Sequence, residues 1–385
     1  MDLIHDLVDN EDKRREAFPI CKRHNFMAHA AVTALPRVVA DAVIRFTDEC
    51  AADFENFAVH LKMIQETRVA AAKLIGASAE EIALIGPTSL GLSLFANGID
   101  WQPGDEVICY LDDYPANVYP WLNLRLRGVT VRLLQPSEPG AITAELVAEA
   151  LTPKTRLVAL ASCNFVSGYR IDAESIGKLL RQRGVLFSVD AIQTLGAFPT
   201  TVEYVDFLSA DAHKWLLGPL AIGIVYVRKD CFDLCRPTLL GSWNVIAPGF
   251  VAQDQIEFYP TAQRYEPGAL NAMGIVGMKA ALEMLLEIGV ANVADRIGTI
   301  TTRLTNGLHE LGYQSLGPTS GKNASGIVTV SRPGTDLEVV FQRLAAAHIV
   351  CSPRQDRQSR HYIRFSPHFY NTAAEVDQVL KVLEQ

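Results

Sequence analysis

The sequence predicts an α/β protein: a large, mostly parallel sheet of the seven-stranded type with helices on both faces, followed by a smaller α+β C-terminal domain. Three observations lead there. From Glu81 onward, short β-rich runs alternate with helical segments and turn residues. After Asn271 this alternation gives way to a long helical stretch and then to a second, shorter set of elements. The chain has 385 residues, enough for two domains, or one large domain with an appendage, at roughly 100–200 residues each.

Taken in order, residues 36–75 carry apolar residues at helical spacing (Val38, Val39, Val43, Ile44, then Phe54, Phe57, Leu61, Ile64) and read as two helices. Strands are expected at 82–85, 107–110, 129–134, 157–161, 185–189, 207–209 and 222–227. An amphipathic helical stretch over 272–311 then leads to a βαβ-like set: 327–330, a helix over 338–347, 349–351, 362–365 and a closing helix from Thr372. With a boundary in the long helix, the expected organisation is an N-terminal segment 1–35 packing with the small domain, a large domain 36–275 and a small domain 276–385.

Composition narrows the function. The chain is 49% hydrophobic and 20% charged, with 35 Lys and Arg against 43 Asp and Glu, a net charge of −8. That is globular composition without the basic face a polyanion partner needs, so nucleic acid is not expected. The longest apolar run, 215–227, contains Gly218-Pro219 and falls short of the roughly 18 residues of a membrane span. It reads as buried strand and turn. Met1 to Leu7 shows no basic leader, and seven scattered cysteines argue against a disulfide framework, so a cytoplasmic location is expected. No second Cys/His pair accompanies Cys231 and Cys235, and no metal site is expected.

The chemistry sits at strand ends. The run 185–189 ends in Asp190, with Gln193 just beyond. Ligands in open α/β sheets lie at the carboxyl ends of strands, where Asp190 falls, although alone it reads equally as a surface turn. Lys214, beside His213, follows the strand at 207–209 and is flanked by apolar residues. Desolvation there lowers a lysine pKa and frees the amine as a nucleophile, whereas an ordinary lysine keeps its head in water. Together the two match what pyridoxal 5'-phosphate requires: an imine-forming lysine and an acid that pairs the pyridinium nitrogen.

With these residues in place, the chain resembles the class V aminotransferase family of pyridoxal phosphate enzymes, which includes cysteine desulfurases, kynureninases and isopenicillin N epimerase. The resemblance runs from about His29 to the end and implies fold type I. It implies Lys214 as the Schiff-base lysine, Asp190 at the pyridine nitrogen, and Gln193 and Asn164 at the phenolic oxygen. Gly86-Pro87-Thr88-Ser89-Leu90-Gly91 opens a helix after a strand. By itself it is equally a helix cap; within the resemblance Thr88 and Ser89 form the phosphate cup, helped by His213. Tyr114, in Asp113-Tyr114-Pro115-Ala116-Asn117, is implied to cover one ring face. Arg364 lies on a strand among apolar neighbours, where a buried arginine must meet an anion, and by family analogy that anion is the substrate's α-carboxylate. His29-Ala30-Ala31-Val32 resembles the loop closing over substrate. Arg354, in a polar loop, is a further candidate that is equally readable as a solvated side chain. Gly241-Ser242-Trp243 resembles the segment reaching the phosphate of the neighbouring subunit, which implies a homodimer with active sites at the interface.

The sequence departs from the family pattern in four places. Asp211 stands where a small hydroxyl residue or glycine is usual, and is expected to point away from the phosphate or pair with a cation. Leu220-Ala221 replaces a Gly-rich turn, and Ala269 replaces a phosphate-binding threonine for which Ser242 is the candidate substitute. The loop 352–360 lacks the nucleophilic cysteine of desulfurases, and Cys351 belongs to a strand end. The expected activity is therefore an enzyme on a small amino acid, aminotransfer first, with C–S β-elimination, desulfurase-like or epimerase chemistry as alternatives. A non-catalytic regulatory protein that binds the cofactor would more naturally lose Lys214 or Arg364.

Overall fold

In the computed structural model, which describes residues 3–8, 10–53 and 57–384, helices α1 (Leu3–Val8) and α2 (Glu11–Ala17) precede strand β1 (Asn25–Phe26) and helices α3 (Arg37–Ala52) and α4 (Phe57–Ile75). Met1, Asp2 and Phe54, which entered the sequence reading, lie outside the described residues. The central part runs β2 (Ile82–Leu84), α5 (Thr88–Gly98), β3 (Glu106–Cys109), α6 (Tyr119–Asn123), β4 (Thr130–Leu133), α7 (Ala144–Ala150), β5 (Thr155–Ala161), α8 (Ala173–Gln182), β6 (Leu186–Asp190), β7 (Phe207–Asp211) and β8 (Gly223–Val227). Helices α9 (Ala272–Ile288) and α10 (Val290–Glu310) lead to β9 (Gln314–Ser315), β10 (Val328–Ser331), α11 (Leu337–Ala346), β11 (Ile349–Val350), β12 (Ser352–Gln355), β13 (His361–Phe365) and α12 (Ala373–Glu384).

All seven strands expected in the central region join one sheet in the order β2-β8-β7-β6-β5-β3-β4. Strand β8 is antiparallel to both neighbours, and the remaining pairs are parallel. Strand residues alternate between two cores. Val158, Leu160, Phe187, Val189 and Leu208 enter one, together with α4, α8 and α9. Leu157, Ala159, Phe207, Val225 and Val227 enter the other, where Phe207 stacks on Phe95 of α5 at 4.9 Å. Covering both faces requires apolar residues at every position, which is why these strands read as continuous apolar runs. Each large side chain so buried contributes about 1.5–3 kcal/mol. Because β2, β3, β5, β6 and β7 point the same way, their carboxyl ends and the N-terminus of α5 share one edge.

The C-terminal part differs from the sequence reading in four ways. The stretch 272–311 is not one helix. Gly289 takes φ 84° and ends α9, and α10 starts anew. The small set is not βαβ-like; it is an antiparallel sheet in the order β12-β13-β10-β9. Its expected strand at 349–351 leaves that sheet and pairs as β11 in parallel with the N-terminal β1. The loop expected over 352–360 begins as β12, antiparallel to β13, so Arg354 sits on a strand.

The N-terminal segment is stitched to this part by backbone: Ser366 N–H donates to Met27 O (2.7 Å) and His29 N–H donates to Ser366 O (3.1 Å). On its other side, Thr33 N–H donates to His213 O at 2.8 Å.

A β-carbon at Gly289 would hold a conformation that L-residues avoid, so Gly289→Ala is expected to cost about 1–3 kcal/mol. Gly298→Ala, inside α10 with open space around its Cα, is expected to gain about 0.5–1 kcal/mol. Thermal unfolding midpoints check both; equal shifts for the two variants would show that the helix break does not depend on Gly289.

Candidate active site

Lys214 leaves the end of β7 through a tight turn in which Leu217 N–H donates to Lys214 O (3.1 Å) and Gly218 N–H to Ala212 O (2.8 Å). Leu217 and Ala221 adopt the left-handed region, at φ 59° and 58°, where the family pattern carries glycine-rich sequence. Asp211 organises this turn. Its Oδ1 accepts from Ala212 N–H (2.9 Å) and Ile222 N–H (3.1 Å), and its Oδ2 stands 3.0 Å from His213 Nδ1. Asp211 thus points away from the α5 N-terminus into its own turn, beside the His213 ring, which lines the cavity.

The Lys214 amine is buried, and loss of water lowers its pKa to about 8 against the opposing pull of Asp190. It lies 5.3 Å from the centre of the Tyr114 ring. Asp190 ends β6, fully inside, with Oδ1 accepting from Ile192 N–H at 3.0 Å. Burial raises its pKa to about 6, and Lys214 draws it back down. Two strands over, beyond the end of β3, Asp113 is also buried; it accepts from Ala161 N–H (2.9 Å) and is pushed to about 7 chiefly by burial.

Lys214, Tyr114 and Asp190 line a cavity of about 420 Å³ together with Thr88, Ser89, Gln193, His213, Arg354 and Arg364. The N-terminus of α5 opens onto it without a side-chain cap, leaving backbone N–H groups for an anion. The Thr88 hydroxyl accepts from Asp211 N–H at 2.8 Å, which leaves its proton for a ligand. Gln193 accepts from Trp215 Nε1–H (2.9 Å) and donates to Ala30 O (3.1 Å), with its second amide proton left over. Arg364 is 1% exposed. Its Nη1 donates to Phe165 O, while Nε and Nη2 are buried without a hydrogen-bond partner among the described residues. Burial holds its pKa well below the usual arginine range.

Four expected residues are not brought to the cavity. Asn164 Oδ1 accepts from Val166 N–H (3.0 Å) and Ser167 N–H (2.9 Å), and Nδ2 donates to Asp112 O (2.9 Å), so the side chain caps its own loop. His29 is fully buried behind Ala30, Ala31 and Val32, which do line the cavity. Its Nδ1 meets Ser366 O (2.9 Å) and its Nε2 meets Tyr370 Oη (2.7 Å), among the rings of Trp215 and His368. Ser242 and Trp243 do not line this chain's cavity, and Ser242 is exposed. Cys351 is buried and its thiol is pushed to about 12.

The sequence reading missed Asp113 and Phe165. Asp113 had a signal, an acid directly after a strand and before Tyr114; Phe165, whose carbonyl receives Arg364, had none beyond its neighbour Asn164. A larger groove, about 980 Å³, lies among α2, α3, α4 and α9; it is mostly apolar, and charges at its edge pair with one another, as Lys279 does with Glu283 at 2.7 Å.

The profile of the family described as Aminotransferase class-V matches residues 25–379. The chain belongs to that family. It is 28% identical to the probable cysteine desulfurase of Methanothermobacter thermautotrophicus over 97% of both chains. It is 27% identical to the uncharacterized aminotransferase YcbU of Bacillus subtilis over 95% of both. The apo cysteine desulfurase of Thermococcus onnurineus NA1 superposes with a TM-score of 0.89 at 25% identity, covering 97% of each chain. The fold is therefore type I, and this class-V protein is an enzyme that uses pyridoxal 5'-phosphate. The residues present fit that cofactor: a desolvated lysine, a buried carboxylate beside it, an uncapped helix N-terminus for a phosphate, and a guanidinium with unpartnered buried N–H groups for a carboxylate.

Two pH dependences follow. An imine to the cofactor at Lys214 would need the neutral amine, so the rate of its formation should rise with pH through about 8 rather than near 10.5, followed by visible absorbance. Asp190→Asn, removing the charge that raises this pKa, should move the profile to lower pH. A profile still rising above pH 10 in the parent would contradict a desolvated Lys214. Separately, burial holds His368 near 4 and His29 well below 6.5, so both are neutral in the fold. The folded state binds fewer protons than the unfolded one, so their contribution is complete above about pH 6.5 and is lost as pH falls through 4, on the order of 3 kcal/mol for His368. His368→Gln should lose stability at pH 7 and little at pH 4; an equal loss at both would refute the neutral histidine.

Proposed function

We propose that this enzyme transfers the amino group of a small amino acid, with Lys214 as the Schiff-base lysine and the base that takes and returns the proton at Cα. The observation that carries this reading is a buried Lys214, its pKa lowered to about 8, beside Asp190 and under an open Arg364, in a cavity whose lining contains no cysteine among the described residues. Cys163, at the floor behind Asp190, turns its Sγ to Asn164 O, and its thiol is pushed to about 12 by burial, which makes it no nucleophile.

The bound cofactor supplies an electron sink that acidifies the substrate's Cα–H. Everything else belongs to the chain. Asp190, ionised above about pH 6, would keep a pyridine nitrogen protonated. The α5 N-terminus, Ser89, Thr88 and His213 would hold the phosphate. Tyr114 would stack on the ring, Gln193 would offer its free amide proton to the phenolic oxygen, and Arg364 would receive the α-carboxylate by its Nε/Nη2 edge. Lys214 then has a fixed atom to deprotonate, which is the orientational part of the rate.

A second reading, cleavage of a β-carbon–sulfur bond, is supported by the likeness to proteins named cysteine desulfurases. The absence of a cavity cysteine disfavours the persulfide-forming route, whereas β-elimination needs no thiol nucleophile and stands as the second reading. We read 36–275 as the cofactor-holding unit, and 1–35 with 276–385 as the unit that presents Arg364. The exposed apolar side chains Phe250, Val251 and Ile256, near the exposed Ser242, support a homodimer in which Ser242 and Trp243 reach the partner's phosphate. Seven free thiols support a cytoplasmic setting, and no helix among the described residues is long and apolar enough to cross a membrane.

Borohydride treatment of the cofactor-loaded protein is expected to add a pyridoxyl group to Lys214, read by peptide mass; an unmodified Lys214 sinks the assignment. Arg364→Leu should weaken amino-acid binding by tenfold or more and keep the visible band. With single amino acids, a shift to the pyridoxamine spectrum with release of a keto acid is expected. Release of pyruvate and sulfide from cysteine without that shift would establish the second reading instead.

A further inference from the structure

Once each contact of the proposed site is assigned, one of the cavity's cations is left over. The lining cations are Lys214, Arg354 and Arg364, the His213 ring stands 3.0 Å from Asp211, and the lining acid is Asp190. In the reading above, Lys214 and Asp190 are committed to the cofactor, the phosphate lies at the α5 N-terminus, and the α-carboxylate lies on Arg364. Arg354 has no anion left.

The β12–β13 hairpin shows that this surplus is local. Of the other arginines in this hairpin, Arg360 pairs with Asp356 of the same turn at 2.6 Å, and Arg357 reaches across to Asp112 at 2.9 Å. Arg354 instead has one hydrogen bond, Nη1 to the carbonyl of Pro353 (3.0 Å), and its Nε is buried without a partner among the described residues. The register pairs Ser352 with Arg364 and Arg354 with Tyr362, so Arg354 and Arg364 are diagonal neighbours on one face of the hairpin, roughly 7–8 Å apart at Cα. Tyr362, directly opposite Arg354, spends its hydroxyl on Asp356 at 3.0 Å. Two guanidiniums facing one closed space repel each other, and Arg354 is among the causes that lower the pKa of Arg364. A single carboxylate satisfies the Nε/Nη2 edge of Arg364 and leaves Arg354 half-buried and uncompensated, an arrangement that costs free energy unless a second anion enters.

We infer that the site is shaped for an amino acid with an acidic side chain, its α-carboxylate on Arg364 and a side-chain carboxylate or sulfinate, one or two carbons from Cα, on Arg354. A short side chain follows from the cavity, whose roughly 420 Å³ must also contain the cofactor. This inference rests on the proposed amino-acid chemistry at Lys214 and adds the substrate class to it.

The test uses the full chain loaded with pyridoxal 5'-phosphate. Succinate should bind at least tenfold more tightly than propionate by calorimetry, and L-aspartate or cysteine sulfinate should change the visible spectrum at concentrations at least tenfold below L-alanine. Arg354→Gln should abolish both preferences while keeping the visible band and shifting the alanine titration far less than the aspartate one, and Arg354→Lys should restore part of the preference. Equal binding of succinate and propionate, or equal weakening of acidic and neutral amino acids by Arg354→Gln, overturns the inference. Loss of cofactor retention in Arg354→Gln also overturns it, because Arg354 would then serve the phosphate. A protein that forms no band and takes no label on Lys214 refutes the underlying reading and the inference with it; a normal band without acid preference refutes the inference alone.

Discussion

Holding a lysine amine out of water at the end of a buried strand is the constraint around which the rest of this molecule is arranged. In a dry interior an isolated ammonium is far more costly than a neutral amine, so Lys214 is driven toward neutrality, and Asp190 is what keeps its pKa near 8 rather than lower. Asp190 has the mirror problem: burial pushes its carboxyl toward the acid form, and Lys214 opposes that. Neither can be placed without the other, and both are placed by the sheet. Asp190 is registered between Ala161 of β5 and Ser209 of β7, and the lysine turn is pinned by Asp211, itself the last residue of β7. Rigid strands on either side keep the pair in one geometry, which a loop-borne pair would not.

Charge makes a second layer. The chain carries a net −8, yet the cavity gathers two arginines, a lysine and an open helix N-terminus against one carboxylate. An acidic surface around a cationic cleft excludes polyanions while drawing small anions inward, since low-dielectric walls focus the field. Asp211 fits the same logic. An acid beside a phosphate site is unfavourable unless its charge is compensated, and here two backbone N–H groups take up Oδ1 while the His213 ring stands 3.0 Å from Oδ2.

Much of this was legible in the sequence because burial on both faces of a parallel sheet leaves no room for polar residues. The seven strands therefore stand out as apolar runs, and the residues directly after them, Asp190, Lys214 and Tyr114, become the natural ligand positions. The small domain hid itself for the opposite reason. Strand β12, Ser352-Pro353-Arg354-Gln355, is half exposed and polar, so neither an apolar run nor a clean alternation marks it. Gly289 was visible as a glycine, but the amphipathic pattern continues on both sides and masks the break. His29 and Asn164 were misplaced because motif position says which loop a residue occupies and not which way it turns. Backbone amides claim Asn164, and Tyr370 and Ser366 claim His29.

The misplacement of His29 exposes how the two parts of the chain are coupled. The N-terminal segment is bonded on one side to Ser366, two residues beyond Arg364, and on the other to His213, one residue before Lys214. Gln193 adds a third link, joining Ala30 to Trp215, the residue after Lys214. Every side chain in this latch, His29, His368, Gln193, Trp215 and Tyr370, is neutral at pH 7, as a location behind a cationic cavity requires: a charge there would be repelled or would compete with Asp190 for Lys214. Arg364 and Lys214 are thus joined through a short run of uncharged hydrogen bonds, from Ser366 through the N-terminal segment to His213 and Trp215, the two residues that flank the lysine.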